Sequence, residues 1–287
     1  MTLLTALILP ACSAVKIAYN QSPELAYWYL DGYVDFNDAQ SLQVKADLNR
    51  LKTWHRQTQL PGYIDSLQKL QQQMPLDFGT AQACSIYTDA RQKLLALATE
   101  AEPAVAALAA SIGTKQIALM ERKFAKGNAD YREEFVDGTP KARRAKRYKL
   151  AVNRAEMLYG SLDDRQLALI DQVIAQSRFD AARAYAERLR RQQDVLQTLR
   201  AVHGSRGLTS TASGADKTRT AMRALLERSV NSPDEAYRDY QEKITNDTCK
   251  AFADLHNSTS ALQRKKAVET INSYEQDLKA LASQIQP

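Results

Sequence analysis

Glycine and proline are scarce, 10 and 8 among 287 residues, and this removes the turn chemistry on which sandwiches and barrels depend. Alternating runs of Val, Ile and Thr bounded by turn residues are missing too, so strands have no sequence to form from. Only three histidines (His55, His203, His256) and three cysteines (Cys12, Cys84, Cys249) occur. No Cys-x-x-Cys pair and no metal-ligand spacing joins them. A Gly-rich phosphate loop is absent, as is the Gly-x-Ser-x-Gly nucleophile elbow. Glu133-Glu134 and Asp163-Asp164 are adjacent carboxylates, which point in different directions on a helix and make no general acid/base pair. Sequence therefore names no catalytic residue, no cofactor site and no metal ligand, and the expectation is a protein that is not an enzyme.

Ala, Leu, Gln, Arg, Lys and Glu dominate instead, all good helix formers. Hydrophobic residues make up 44% and charged residues 25%, enough apolar surface for a sizeable core. Apolar residues recur three and four apart in long stripes. Leu60, Tyr63, Leu67, Leu70 and Met74 form one. Ile117, Met120, Phe124, Tyr131 and Phe135 form a second, interrupted at Asn128. Ile271, Tyr274, Leu278, Leu281 and Ile285 form a third. Each reads as the buried face of an amphipathic helix. The expected fold is all-α, a multi-helix bundle, elongated or layered.

The first residues give an address. Met1 to Ala11 is an uncharged apolar run, too short to span a bilayer and of the right length for the apolar region of a signal peptide. Leu9-Pro10-Ala11-Cys12 resembles a lipobox, in which an aliphatic and a small residue precede a lipidated cysteine. Pro10 is unusual there, and no Lys or Arg precedes the run. The expectation is a lipoprotein whose signal peptide is residues 1–11, acylated at Cys12 by palmitate-type chains. Ser13, where Asp would resemble an inner-membrane retention signal, favours the periplasmic side of the outer membrane. Residues 12–36 then form a tether and aromatic-rich segment, and residues 37–287 a helical domain with a candidate joint at 203–215. With Cys12 acylated in an oxidising compartment, Cys84 and Cys249 are either bridged or two buried thiols.

Two helix starts look alike. Leu162-Asp163-Asp164-Arg165-Gln166-Leu167 places Asp163 at the N-cap, Gln166 at N3 and leucines at N′ and N4, a capping box with a hydrophobic staple. Ile112-Gly113-Thr114-Lys115-Gln116-Ile117 has the same layout with a weaker cap. Shorter breaks fall at Pro75–Gly79, Asp137–Pro140 and Asn231–Pro233.

Several local signatures then coincide: Cys12 followed by Val15-Lys16-Ile17-Ala18-Tyr19-Asn20, Tyr29-Leu30-Asp31-Gly32-Tyr33-Val34-Asp35, Trp54-His55-Arg56, Leu60-Pro61-Gly62-Tyr63, Asn128-Ala129-Asp130-Tyr131-Arg132-Glu133-Glu134-Phe135 and Gly160-Ser161-Leu162. In this order they resemble a family of uncharacterised helical lipoproteins of Gram-negative envelopes, from Cys12 to about Ala175. The resemblance implies location and fold and supplies no catalytic residues. Gly113 departs from it, standing where Ser or Thr is usual, and so does the irregular Phe78-Gly79 start of the Cys84 helix. The cap-x-x-Gln starts are also similar to the Leu-Thr-x-x-Gln motif of the periplasmic stress chaperones Spy and CpxP, which implies a chaperone-like protein as one alternative. An enzyme acting on envelope material is another.

Partners are bounded by charge. Lys141, Arg143, Arg144, Lys146, Arg147 and Lys149 form a basic run within a net charge of +6. It is either a surface for anionic lipid or a solvated helix face paired with nearby acids. Export argues against nucleic acid. Arg183, Arg188, Arg190, Arg191 and Arg200 alternate with Glu187 and Asp194, as in an ion-paired exposed helix. Tyr27, Trp28, Tyr29, Tyr33 and Phe36 lie close to Cys12, as an interfacial belt or, with the larger share, as core. The leading expectation is a membrane-anchored module that binds envelope proteins or lipids; its oligomeric state is not readable.

Overall fold

A computed structural model describes residues 14–204 and 212–284. Among them there are helices and no strand. In chain order the helices are α1 (Ala14–Asn20), α2 (Ser22–Val34), α3 (Asp38–Trp54), a π-helical turn (His55–Gln59), α4 (Leu60–Gln73), α5 (Thr80–Ser111), α6 (Thr114–Phe135), α7 (Pro140–Tyr159), α8 (Asp164–Gln176), α9 (Ala181–Gly204), α10 (Ala212–Val230), α11 (Glu235–Asn257) and α12 (Ala261–Ala282). Proline stands in the first turn of α2, α4 and α7; in α7, entered from a loop at Thr139, its missing N–H has no intrahelical partner to lose.

Helix α5 is the spine. At 32 residues it runs about 48 Å, at 1.5 Å per residue, and packs on α3, α9, α10 and α11. Its two ends belong to different cores. At one, Ala106, Ala109 and Ile112 meet Val34, Ile117, Met120, Leu196, Leu199, Val202 and Met222. At the other, Ala83 meets Met74, Phe78, Tyr159, Cys249, Ala253, Ala267 and Ile271. Ala83 and Ala106 are separated by roughly 35 Å of helix, so the bundle is elongated around two centres. Length and composition alone would let α5 cross a membrane; here it contributes to both cores, and its Glu102 pairs with Arg223 of α10 at 2.9 Å.

The first two apolar stripes pack as their spacing predicts. Leu60 and Met74 are buried, with Leu67 and Leu70 against the same core. Asn128, the interruption in the second, is buried and donates to Gln192 at 2.6 Å while accepting from Arg188 at 2.9 Å. The third stripe is different. Ile271 and Leu281 are buried, but Tyr274 turns outward while Glu275 and Asp277 turn in. Two glutamines on α4 reward that rotation: Gln68 and Gln71 donate to the Glu275 carboxylate at 2.7 and 2.5 Å, beside Lys279 at 2.6 Å. Lys279 and these two amides push its pKa down to about 2. Ile285 lies outside the described residues, as does most of the candidate joint; α9 and α10 on either side of it pack on one another.

Candidate functional site

Four helices begin with a cap and a glutamine at N3: Asn37/Gln40, Gly113/Gln116, Asp163/Gln166 and Ser260/Gln263. In each, the glutamine Oε1 accepts from the cap's backbone N–H, at 3.1, 2.9, 3.0 and 2.9 Å. Asn37, Asp163 and Ser260 return the bond to the N3 amide. Gly113 has no side chain to do so. The glutamines then pair. Gln40 and Gln116 exchange amide hydrogen bonds at 3.3 and 2.7 Å, and Gln166 and Gln263 do so at 2.8 Å each way.

Each Nε2 also reaches the carbonyl two residues ahead of its partner's cap. These are Ser111 from Gln40, Asp35 from Gln116, Ser258 from Gln166 and Ser161 from Gln263. The result is a clasp that joins two helix starts. It satisfies both side-chain amides, since each brings two N–H donors and a carbonyl oxygen with two lone pairs. One clasp closes each core. Sequence spacing revealed the boxes at Gly113 and Asp163. It missed those at Asn37 and Ser260, whose Asn-x-x-Gln and Ser-x-x-Gln patterns carry the same signal. The alike starts are not each other's partners: the paired glutamines are 76 and 97 residues apart.

Between α3 and α5 lies a groove of about 840 Å³, walled by Leu30, Leu48, Leu51, Trp54, Val105 and Leu108. Asp47, Arg50 and Glu100 stand along it. Asp47 is taken up by Arg50 and by Gln43, the latter at 2.9 Å. The groove thus offers mainly apolar contact.

The histidines are apart. His256 is fully buried and stacks on Phe78 at 4.1 Å. Its Nε2 faces the Leu76 carbonyl at 2.8 Å and its Nδ1 the Tyr159 hydroxyl at 2.9 Å. A carbonyl only accepts, so Nε2 carries the proton and Nδ1 accepts from Tyr159. Burial lowers the pKa of His256 and raises that of Tyr159, which holds both neutral. His55, in the π-helical turn, meets Tyr19 Oη through Nδ1 at 3.1 Å and the Tyr63 ring edge-on. Beside it the buried Arg56 donates to Asn20 at 2.9 Å, with its Nε unpaired. His203 lies 3.4 Å from Thr114. Tyr33 packs on Tyr29 and Phe124, away from these groups. Among the described residues no three metal-ligating side chains gather.

The basic run is largely occupied by neighbours. Arg143 donates to Val136 O at 2.7 Å and to Gly138 O, Arg144 to Asp171 at 2.6 Å, Lys146 to Glu134 and Arg147 to Ser177 at 2.7 Å. Lys141 and Lys149 are exposed. The second basic cluster is less exposed than its alternating pattern implies: Glu187 is buried, held by Arg190 and Arg191 at 2.8 Å each and by Ser232 at 3.2 Å. Burial alone would raise its pKa, and the two arginines together outweigh it and bring the pKa down. The N-terminal aromatics divide. Tyr27 and Phe36 pair at 5.8 Å, whereas Trp28 and Tyr29 are 68% and 67% exposed.

Cys84 on α5 and Cys249 on α11 are joined in a disulfide, with their Cα atoms 5.2 Å apart. Cys12 lies outside the described residues. A family model described as a family of unknown function, DUF6279, matches residues 32–210. No curated protein and no solved structure matches.

Proposed function

The chain belongs to the DUF6279 family of proteins of unknown function, and from that premise we propose a lipid-anchored envelope protein that binds rather than catalyses. Its acylated Cys12 holds it to the outer membrane, facing the periplasm. Its helical body takes up envelope proteins or lipids. The observation that carries the binding role is the apolar groove between α3 and α5, lined by side chains suited to apolar contact and without convergent acid and base. The Cys84–Cys249 bridge supports the compartment, since such bonds persist where thiols are not kept reduced.

Metabolic labelling tests the anchor. Radiolabelled palmitate should enter the wild-type protein and not Cys12→Ala; label that persists in the variant overturns the assignment. Val105, half exposed in the groove wall, tests the binding surface. Val105→Arg should leave helicity unchanged and abolish binding of an apolar dye, and undiminished dye binding rejects the groove.

A second, chaperone-like reading is favoured by the repeated cap-x-x-Gln starts beside an open apolar groove. Purified protein should then suppress aggregation of an unfolding client, and Val105→Arg should not. Client aggregation at the same rate with and without protein removes this reading.

A further inference from the structure

Helices α1 and α2 form a nearly continuous rod, with Gln21 donating to Ile17 O and Leu25 to Gln21 O across their junction, each at 3.0 Å. Pro23 and Val34 bury apolar surface inward as in an ordinary amphipathic helix, but the face opposite them is not the polar one that pattern calls for. The inward side carries polar groups with partners in the bundle. Lys16 pairs with Asp277 at 3.6 Å, Tyr19 with His55 at 3.1 Å, Asn20 with Arg56 at 2.9 Å and Tyr27 with Ser41 at 3.0 Å.

The outward side is mainly apolar, with Gln21 within the stripe and Glu24 at its edge. Ile17, Ala18, Gln21, Leu25, Trp28 and Tyr29 fall within about a third of the helical circumference at 100° per residue, and all six are exposed. Glu24 is the only exposed charged residue between positions 14 and 34. The stripe therefore runs much of the length of a rod about 30 Å long.

Resting on the lipid anchor proposed above, we propose that this outward face lies in the headgroup layer of the bilayer that holds Cys12. Ala14 begins the rod two residues after Cys12, at most about 7 Å of chain, so the acylated position keeps this face close to the membrane. Trp and Tyr favour that depth, where a ring is shielded and a polar tip stays wet. The near absence of charge suits an interface lacking ionic specificity. A flat helix face here adds a second contact to the acyl chains and sets how the bundle sits on the membrane.

The mature protein, purified in detergent and returned to vesicles of phosphatidylethanolamine with a minority of phosphatidylglycerol, provides the test. Sedimentation with the vesicles reports the anchor. Trp28 reports the face, and subtracting the emission of Trp28→Phe removes the contribution of Trp54. The expected result is vesicle-bound protein whose Trp28 emission is lost to brominated lipid and kept in aqueous iodide. Vesicle-bound protein whose Trp28 is quenched by iodide overturns the inference and leaves the anchor standing. Vesicle-bound protein whose Trp28 escapes both quenchers means that protein, a second copy included, covers the face, and this also overturns the inference. Protein that does not sediment overturns the anchor and the inference together.

Discussion

Replacing Gln166 with alanine removes four hydrogen bonds from one buried side chain. Gln166 is 1% exposed. Its Oε1 accepts from Asp163 N and Gln263 Nε2, and its Nε2 donates to Ser258 O and Gln263 Oε1. Gln263 is half-buried and can turn to water, but Asp163 N and Ser258 O are backbone atoms fixed by the helices that present them. Two such groups left unpaired at about 1–1.5 kcal/mol each give a destabilisation of about 2–3 kcal/mol. For a domain of this size that lowers the melting temperature by about 4–12 °C.

The paired variant separates a clasp from two independent caps. Gln263→Ala removes the partners of Ser260 N and Ser161 O, both on exposed residues and open to water, and should cost less than Gln166→Ala. Each single change also spoils the other glutamine's bonds, so the double variant should cost about 1–2 kcal/mol less than the sum. Urea unfolding followed by far-ultraviolet circular dichroism, with the disulfide oxidised, measures all four corners of the cycle. A coupling below about 0.5 kcal/mol, within the range for unconnected sites, would show that the two amides do not act as a unit.

Three further outcomes are expected. Reducing the Cys84–Cys249 bridge frees a 165-residue separation and should lower stability by about 5 kcal/mol on the loop-entropy relation; unchanged urea midpoints with and without reductant would refute it, and alkylation before and after reduction counts the thiols. Glu275, with its pKa pushed from 4.5 down to about 2, favours folding above the unfolded value. That contribution is lost as pH falls from about 4.5 to 2, and Glu275→Gln should flatten the acid limb of a stability–pH profile there. His256 is held neutral by burial, with its pKa below the usual 6.5. The unfolded chain takes up a proton that the folded one refuses, so stability should fall as pH drops below about 6.5. Constant urea midpoints from pH 7.5 to 5.5 would contradict this.

Helix content and the first two apolar stripes were legible because they depend on local spacing. The stripe from Leu60 to Met74 and the Asp163 box each lie within one or two dozen residues, and their periodicity survives whatever packs against them. The elongated form, with two cores strung on α5, follows from which faces meet, and no local pattern records that. Glu275 illustrates the limit: periodicity favours Tyr274 for the interior, and only the amides of Gln68 and Gln71, 207 and 204 residues away, make an inward carboxylate the better choice.

Local sequence established that this chain is helical and where several of its helices start, those after Gly113 and Asp163 among them. Those properties rest on propensity, capping and periodicity, which act over a few residues. Packing of distant segments fixed which glutamines pair, that Cys84 meets Cys249, and that an apolar stripe of the first two helices is left facing outward. Each of these depends on atoms brought together from distant parts of the chain, and their distances are set by packing around the two cores.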